Sequence, residues 1–163
     1  WGLSDAEFAE LDTETHLEWL NAQAATEAPG TVYRYNNSGY VLLSLVIERA
    51  SGEHYADYAR ARLFQPAGMH DAQVMDSHRL RFPRQAQGYK RDEGGEYTRS
   101  TSPSSVTGDG NVYASLADMV AWMRALDGNR VLSATQMRTA WSNGRLDSGR
   151  ALTDQDGNGY GYG

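Results

Sequence analysis

Cysteine is absent from this sequence, and lysine occurs only once, at position 90. Without cysteine there can be no disulfide scaffold, no thiolate zinc site and no cysteine nucleophile. Long apolar runs are missing too, since the longest covers 40–47 and a membrane-spanning helix needs roughly 20 residues. The net charge is −6 and the pI about 5.1, which argues against nucleic acid as a partner.

The remaining composition is that of a folded domain. The chain has 163 residues, and 40% of them are apolar, which is enough for a hydrophobic core. It begins with Trp1 and shows no signal-like start, so we expect an excised or processed piece. We predict a single domain over 1–163 that is mostly α-helical with one small β-hairpin.

Hydrophobic periodicity and capping residues predict the elements. Helices are expected at Ser4–Leu11, Thr13–Ala25, Ser38–Ala50, Glu53–Leu63, Ser115–Leu126 and Ser133–Ser142. The third should be buried on most sides, because its apolar residues occur nearly all round. A hairpin is predicted from 84–91 and 96–99, a sharp loop at 66–69, a loop at 100–111, and a strand beginning at 157–163.

Residues 29–44 carry the strongest chemical signal. Tyr35 and Asn37 are two apart, so on an extended backbone they would project to the same side, beside a helix start. A phenol and a carboxamide presented together suit proton transfer and the holding of a substrate amide. Two structural alternatives remain open: Tyr35 as a packed aromatic, and Asn37 as the N-cap of a helix that starts at Ser38.

Several segments together point to a family. They are Pro29–Leu43, Ile47–Gly52 followed by Tyr55–Tyr58 and Leu63–Met69, Ala86–Tyr89, Gly108–Met119 and Tyr160–Gly163. Their order resembles the serine β-lactamase-related family, which includes class C β-lactamases, penicillin-binding proteins, D-aminopeptidases and family VIII esterases. The resemblance covers roughly 28–163. It implies the helical lobe of the α+β fold of serine β-lactamases and DD-peptidases.

The resemblance also implies a chemistry, acyl transfer through a serine. Tyr35 would help to shuttle the serine proton, and Asn37 would bind the substrate amide and the catalytic lysine. Asp109, Gly110 and Asn111 would line the substrate cleft, although a flexible turn is the alternative for these three. The substrate would be a small molecule or a peptide, and the protein periplasmic or secreted.

Two of the family's catalytic elements are missing from the sequence. The nucleophile lies in Ser-x-x-Lys, but Gln87 stands three residues before Lys90. The Lys-x-Gly or His-x-Gly element is absent as well, since neither Lys90 nor any of the four histidines is followed by glycine two residues on. We therefore expect a fragment of a serine hydrolase that is inactive alone.

Other functions stay open at this stage. The chain could be a non-catalytic binding or assembly module that self-associates through an exposed face of the lobe, or an enzyme whose serine comes from a second chain. No cofactor is predicted. Asp154, Asp156 and Asn158 resemble the start of a calcium loop, but its twelfth position falls beyond the given sequence, so we predict no metal site.

Overall fold

The computed structural model describes residues 12–76, 85–100, 105–154 and 156–162. Its helices are α1 (Thr13–Asn21), α2 (Asn37–Ser51), α3 (Tyr55–Ala59), α4 (Gln65–Ala67), α5 (Leu116–Asp127) and α6 (Ala134–Ala140), with a π-helical segment at Arg60–Phe64. The strands are β1 (Gln73–Val74), β2 (Gly88–Arg91), β3 (Tyr97–Ser100) and β4 (Val112–Tyr113). The predicted fold class, mostly α with a small hairpin, is confirmed. The helix predicted at 4–11 lies outside the described residues.

Local capping signals set several helix boundaries. At the start of α5 the Ser115 hydroxyl accepts from the Asp118 N–H at 3.1 Å, and the Asp118 carboxylate accepts from the Ser115 N–H at 3.0 Å. Ser133 and Gln136 form the same reciprocal pair at α6. Gly52 ends α2 in the left-handed conformation, with φ +74°. Each pair satisfies backbone groups that the helix itself leaves without partners, so these boundaries follow from short stretches of sequence.

The hydrophobic core lies between the segment 55–75 and α5. Its buried members are Ala59, Phe64, Ala67, Met69, Ala72, Val74 and Ala125. The helix predicted to end at Leu63 continues through the π-helical segment into α4 and stops at Gly68, with φ +82°. The predicted loop at 66–69 is therefore wrong for its first half, because Pro66 and Ala67 still belong to α4 and the left-handed Gly68, not the proline, ends the helix.

Two antiparallel strand pairs complete the fold. In the predicted hairpin, β2 pairs with β3 from Gly88 opposite Ser100 to Arg91 opposite Tyr97. A second pair, β1 with β4, joins Val74 to Val112 and was not predicted, because strands of two residues leave no alternating pattern to detect. The strand predicted at 157–163 does not form within 156–162, where only an isolated bridge links Thr153 to Gly159.

The helix α2 is buried on one side only. Val41, Ser44 and Leu45 are buried, whereas Leu42, Leu43 and Val46 are 40%, 53% and 59% exposed. The expectation that this helix is buried on most sides is therefore wrong within the described part of the chain. No helix of the described ranges is both long and apolar enough to cross a membrane.

The α1 helix is shorter than predicted. It ends at Asn21 rather than at Ala25, and Asp12 caps its start by accepting from the Thr15 N–H at 2.8 Å. Its fully buried residue is His16, whereas Leu17 and Leu20 are only half-buried. A polar side chain thus anchors this helix to the rest of the molecule.

Candidate active site

The start of α2 presents the tyrosine and the asparagine differently from the prediction. Asn36, not Asn37, is the N-cap: its backbone is extended, with φ −152° and ψ 113°, and its side-chain oxygen accepts from the Gly39 N–H at 3.3 Å. Asn37 is the first residue of the helix. The interpretation of Asn37 as the cap is therefore wrong, and the extended backbone that carries Tyr35 ends one residue before Asn37.

Tyr35 lies at an open cleft. Its side chain is 71% exposed, so the alternative that it is a packed aromatic is wrong. The cleft has a volume of about 640 Å³, and its lining residues are Tyr33, Tyr35, Thr153, Asp154, Asp156 and Tyr160. The phenol of Tyr35 is thus available to a molecule that enters from solvent, as a proton-transfer group requires.

Tyr33 and Tyr160 also line this cleft, whereas Tyr40 and Tyr162 line a second pocket that shares Tyr33, Tyr35 and Tyr160 with it. The rings of Tyr33 and Tyr160 are 5.1 Å apart between centroids and inclined by 46°. Partial burial, with a hydrogen bond to Tyr160, raises the pKa of Tyr33 to about 12. The Tyr40 hydroxyl donates to the carbonyl oxygen of Tyr162, and burial raises the pKa of Tyr40. The phenols of Tyr33 and Tyr40 therefore stay protonated at neutral pH and serve as hydrogen-bond donors.

Asp154 supplies a fixed negative charge to the cleft. Its carboxylate accepts from the N–H groups of Asp156 at 2.9 Å and Asn158 at 2.8 Å, and from the Asn158 side-chain amide at 3.1 Å. These hydrogen bonds lower the pKa of Asp154, so it stays ionised well below neutral pH. Across the described ranges, no group of three or more His, Asp or Glu side chains is arranged to hold a metal ion.

On its other side, the start of α2 is held by a buried polar seam, which we define as Thr13, His16, Ser38, Ser44 and Thr107. The His16 Nε2 lies 3.2 Å from the Ser38 hydroxyl. The Ser44 hydroxyl donates to the Thr107 carbonyl oxygen at 3.1 Å. His16, Ser38, Ser44 and Thr107 are each at most 6% exposed, so water competes little for their hydrogen bonds. These bonds fix α2 against α1 and the loop at 105–111.

The loop at 105–111 faces this seam. Asp109 interacts electrostatically with His16: burial lowers the pKa of His16, the carboxylate opposes that effect, and burial raises the pKa of Asp109 itself. Asn111 adopts a left-handed conformation with φ +60°, and its side-chain amide donates to the Val106 carbonyl oxygen at 2.8 Å. Gly110 is exposed. The loop is thus held by hydrogen bonds on both sides of Gly110.

The structure does not bring all the predicted site residues into one cleft. The described lining of the Tyr35 cleft comes from Tyr33 and Tyr35 and from Thr153, Asp154, Asp156 and Tyr160, and none of it comes from the loop at 109–111. The role of these three loop residues in substrate binding stays a prediction, as does that of Asn37. Tyr33, Asp154, Asp156 and Tyr160 were not predicted to line a cleft, although Asp154 and Asp156 were noted for their resemblance to a calcium loop. Tyr160 belongs to one of the family-like segments, but nothing in its local pattern indicates that it meets Tyr33.

Comparisons with known proteins show the family of the chain. The family model described as Beta-lactamase matches residues 1–163. Penicillin-binding protein 4* of Bacillus subtilis is 32% identical over 148 residues, which cover 83% of this chain and 31% of that protein. A D-aminopeptidase of Brucella anthropi is 34% identical over 103 residues, 63% of this chain and 19% of that protein.

A solved structure gives the same result for the fold. The crystal structure of a penicillin-binding protein from Bacillus halodurans matches with a TM-score of 0.80 and 28% identity, over 94% of this chain and 46% of that one. The chain therefore spans less than half the length of each of these relatives. Because the family model covers every residue and the fold agrees, the chain belongs to the beta-lactamase family, the β-lactamase-like serine hydrolases.

Proposed function

We propose that this chain supplies the tyrosine and asparagine of an acyl-transfer site that cleaves an amide or ester through an acyl-serine. The observation that carries the proposal is the phenol of Tyr35, 71% exposed at the mouth of a cleft of about 640 Å³. Family membership and the position of Asn37 in the first turn of α2, two residues further on, support it.

In the proposed reaction, a serine oxygen attacks the substrate carbonyl carbon and gives its proton to a base. Tyr35 passes a proton to the leaving nitrogen or oxygen as the bond from that atom to the carbonyl carbon breaks, and it is reprotonated by the base that took the serine proton. Water then attacks the acyl-serine, releases the acid and returns the proton to the serine. The Asn37 carboxamide hydrogen-bonds the substrate amide and orients its carbonyl for attack.

The serine and its base must come from outside this sequence. Ser-x-x-Lys is absent from the 163 residues, so we propose that another stretch of polypeptide brings it to the Tyr35 cleft. The chain alone should then be catalytically silent. Loss of a nucleophile typically removes several orders of magnitude of rate.

The first test is an assay of the chain alone with a nitrophenyl ester and a chromogenic β-lactam. We expect no turnover above the buffer rate. Turnover that follows the purified protein and survives Tyr35→Phe would contradict the proposal, since neither the missing serine nor the phenol would then be needed.

The second test uses the chain joined to a polypeptide segment that contains Ser-x-x-Lys. Tyr35→Phe should lower kcat by roughly 10²- to 10⁴-fold, the usual contribution of a positioned proton-transfer group. The matched control is Tyr97→Phe, because Tyr97 is 70% exposed on β3, outside the cleft. Equal activities of the two variants would rule out the relay.

A second candidate function is self-association through α2. Leu42, Leu43 and Val46 form an exposed apolar face on this helix, and such faces favour association. Light scattering across a concentration series should show a dimer that Leu43→Gln weakens. Leu116→Gln, at an 82% exposed leucine on α5, is the control. A monomer at every concentration would contradict this candidate.

A further inference from the structure

The lining of the Tyr35 cleft has one sign of charge. Among the residues that the structure describes, it contains three tyrosines, one threonine and two aspartates, and no lysine, arginine or histidine. Arg34 lines the second pocket, which shares Tyr33, Tyr35 and Tyr160 with the cleft, and it forms an ion pair with Glu27 at 2.7 Å. A ligand that enters the Tyr35 cleft therefore meets two carboxylates and no described cation in the lining.

The two carboxylates can both act on a ligand. The Asp154 side chain is fixed by hydrogen bonds from the main chain of Asp156 and Asn158, which keeps its charge in one place. The Asp156 side chain is exposed at the same cleft. Carboxylates that are held in position in this way favour a cationic ligand group and repel an anionic one.

The aromatic lining favours the same kind of ligand. Tyr33, Tyr35 and Tyr160 all line the cleft, and the rings of Tyr33 and Tyr160 are only 5.1 Å apart. A neutral phenol ring attracts an organic cation through its negative face, and groups of aromatic rings with carboxylates are a recurring way to bind ammonium ions. An inorganic cation would gain little from the rings, and a neutral ligand little from the carboxylates.

We propose that this cleft binds an organic ammonium group, with Asp154 and Asp156 supplying the countercharge and the three tyrosines the aromatic surface. As an assignment of substrate class it rests on the proposed function, because Tyr35 belongs to both sites. It implies that the substrates of the intact enzyme carry a positive charge close to the bond that is cleaved. Substrates with an anionic group in that position are disfavoured.

The binding step can be tested without turnover. The probes are choline and its neutral carbon isostere, 3,3-dimethylbutan-1-ol, each titrated into the chain while the tyrosine ring resonances are followed by NMR. Choline should bind roughly 5- to 30-fold more tightly than the alcohol, the range expected for a cation at aromatic rings and carboxylates. The shifts should fall on Tyr33, Tyr35 and Tyr160, and added salt should weaken the binding of choline alone.

Charge-neutral variants locate the site. Asp156→Asn keeps the backbone N–H that Asp154 accepts, and we expect it to weaken choline binding by about 3- to 10-fold without changing that of the alcohol. Asp154→Asn should have the same effect or a larger one. Asp92→Asn is the control, because the Asp92 carboxylate likewise accepts a main-chain N–H, from Glu96 at 2.9 Å, in a turn of the hairpin.

Three results would overturn the proposal. They are equal affinities for the two probes, no saturable binding of either at 100-fold molar excess, and a loss of choline affinity in Asp92→Asn as large as in Asp156→Asn. None of these results depends on catalysis. If the choline titration fails, the relay role of Tyr35 is still decided by the kinetics of Tyr35→Phe. If those kinetics rule out the relay, the binding of an ammonium group is unaffected.

Discussion

The start of α2 is used differently on its two sides. On one side the polar seam is buried, and each hydroxyl or ring that forms it has a partner on another element. On the other side Tyr35 is 71% exposed and meets solvent in the cleft. The difference shows how a helix start can be rigid and reactive at once: buried hydrogen bonds hold the backbone, and a neighbouring side chain stays available to a ligand.

The two adjacent asparagines show the same contrast between a structural side chain and an available one. Asn36 caps the helix through its side-chain oxygen, which leaves the Asn37 carboxamide out of the capping interaction. A residue that both capped the helix and bound a substrate would lose one contact whenever it made the other. The comparison of seam and cleft therefore predicts that substitutions in the seam cost stability and that substitutions at the cleft do not.

The largest effect is expected where the loop meets α2. Gly108 has φ +101°, and a Cβ placed there would lie against the Tyr40 carbonyl oxygen and 2.9 Å from the Ser44 Cβ. Gly108→Ala should lower the free energy of unfolding by about 2–5 kcal/mol, from backbone strain and steric overlap together. Urea denaturation measures it. Gly110→Ala, with open space in the same loop, should change stability by less than about 0.5 kcal/mol.

The second-largest loss of stability is expected at the buried histidine. His16→Gln should destabilise the chain by about 1–3 kcal/mol, because the Ser38 hydroxyl loses its partner in a buried site. Burial lowers the pKa of His16 below its ordinary 6.5, so the unfolded chain binds the proton first. The stability that neutral His16 contributes should therefore be fully present above that ordinary pKa and should decrease as the pH falls below it toward the pKa of the folded state.

Urea midpoints measured from pH 7.5 to 5.5 check this dependence. The slope should disappear in His16→Gln and persist in His54→Gln, whose histidine side chain is 87% exposed. The raised pKa of Asp109 acts in the opposite direction, since the folded state then binds the carboxyl proton first and gains stability as the pH falls. An unchanged slope in His16→Gln would mean that the seam does not depend on a neutral histidine.

A smaller effect separates the two asparagines. Asn36→Ala should cost about 1 kcal/mol, the usual value of an N-cap, whereas Asn37→Ala should cost less than about 0.5 kcal/mol. Thermal or urea unfolding of both variants provides the comparison. A larger loss of stability in Asn37→Ala than in Asn36→Ala would place the cap at Asn37 and contradict the separate roles of the two residues.

The smallest effect is expected at the cleft itself. Tyr35→Phe should leave the free energy of unfolding within about 0.5 kcal/mol of the unchanged protein, because an exposed hydroxyl contributes little to folding. Tyr97→Phe, at equal exposure, should behave in the same way. A loss above 1 kcal/mol in Tyr35→Phe alone would show that the phenol is a structural group, and the contrast between seam and cleft would fail.

What the sequence predicts well is local. The starts of α5 and α6 next to Ser115 and Ser133, the end of α2 near residue 50 and the hairpin around 92–95 are each specified by a few adjacent residues, and all four are present. The order of family-like segments was enough to predict the family, which the comparisons confirm. The alternative that placed a cap at Asn37 is wrong for a local reason, because two adjacent asparagines are equally good capping residues.

What the sequence predicts poorly is long-range. The burial of His16 could not be read from α1, since it depends on Ser38 and on a loop near residue 109. The exposure of Leu43 also depends on what packs against α2 rather than on the apolar pattern of the helix. The cleft was missed for the same reason, because its two lining segments are distant in sequence and neither has a pattern that identifies the other.

The distance between these segments has a consequence for how the cleft behaves. Tyr40 and Tyr162 are 122 residues apart, yet the hydroxyl of one donates to the backbone of the other. Closing so long a loop is costly in entropy, and a segment held by few contacts across such a loop opens readily by local fluctuation. A molecule in the cleft should therefore slow amide hydrogen exchange between Leu152 and Tyr162, which makes the protection of this segment a direct measure of occupancy.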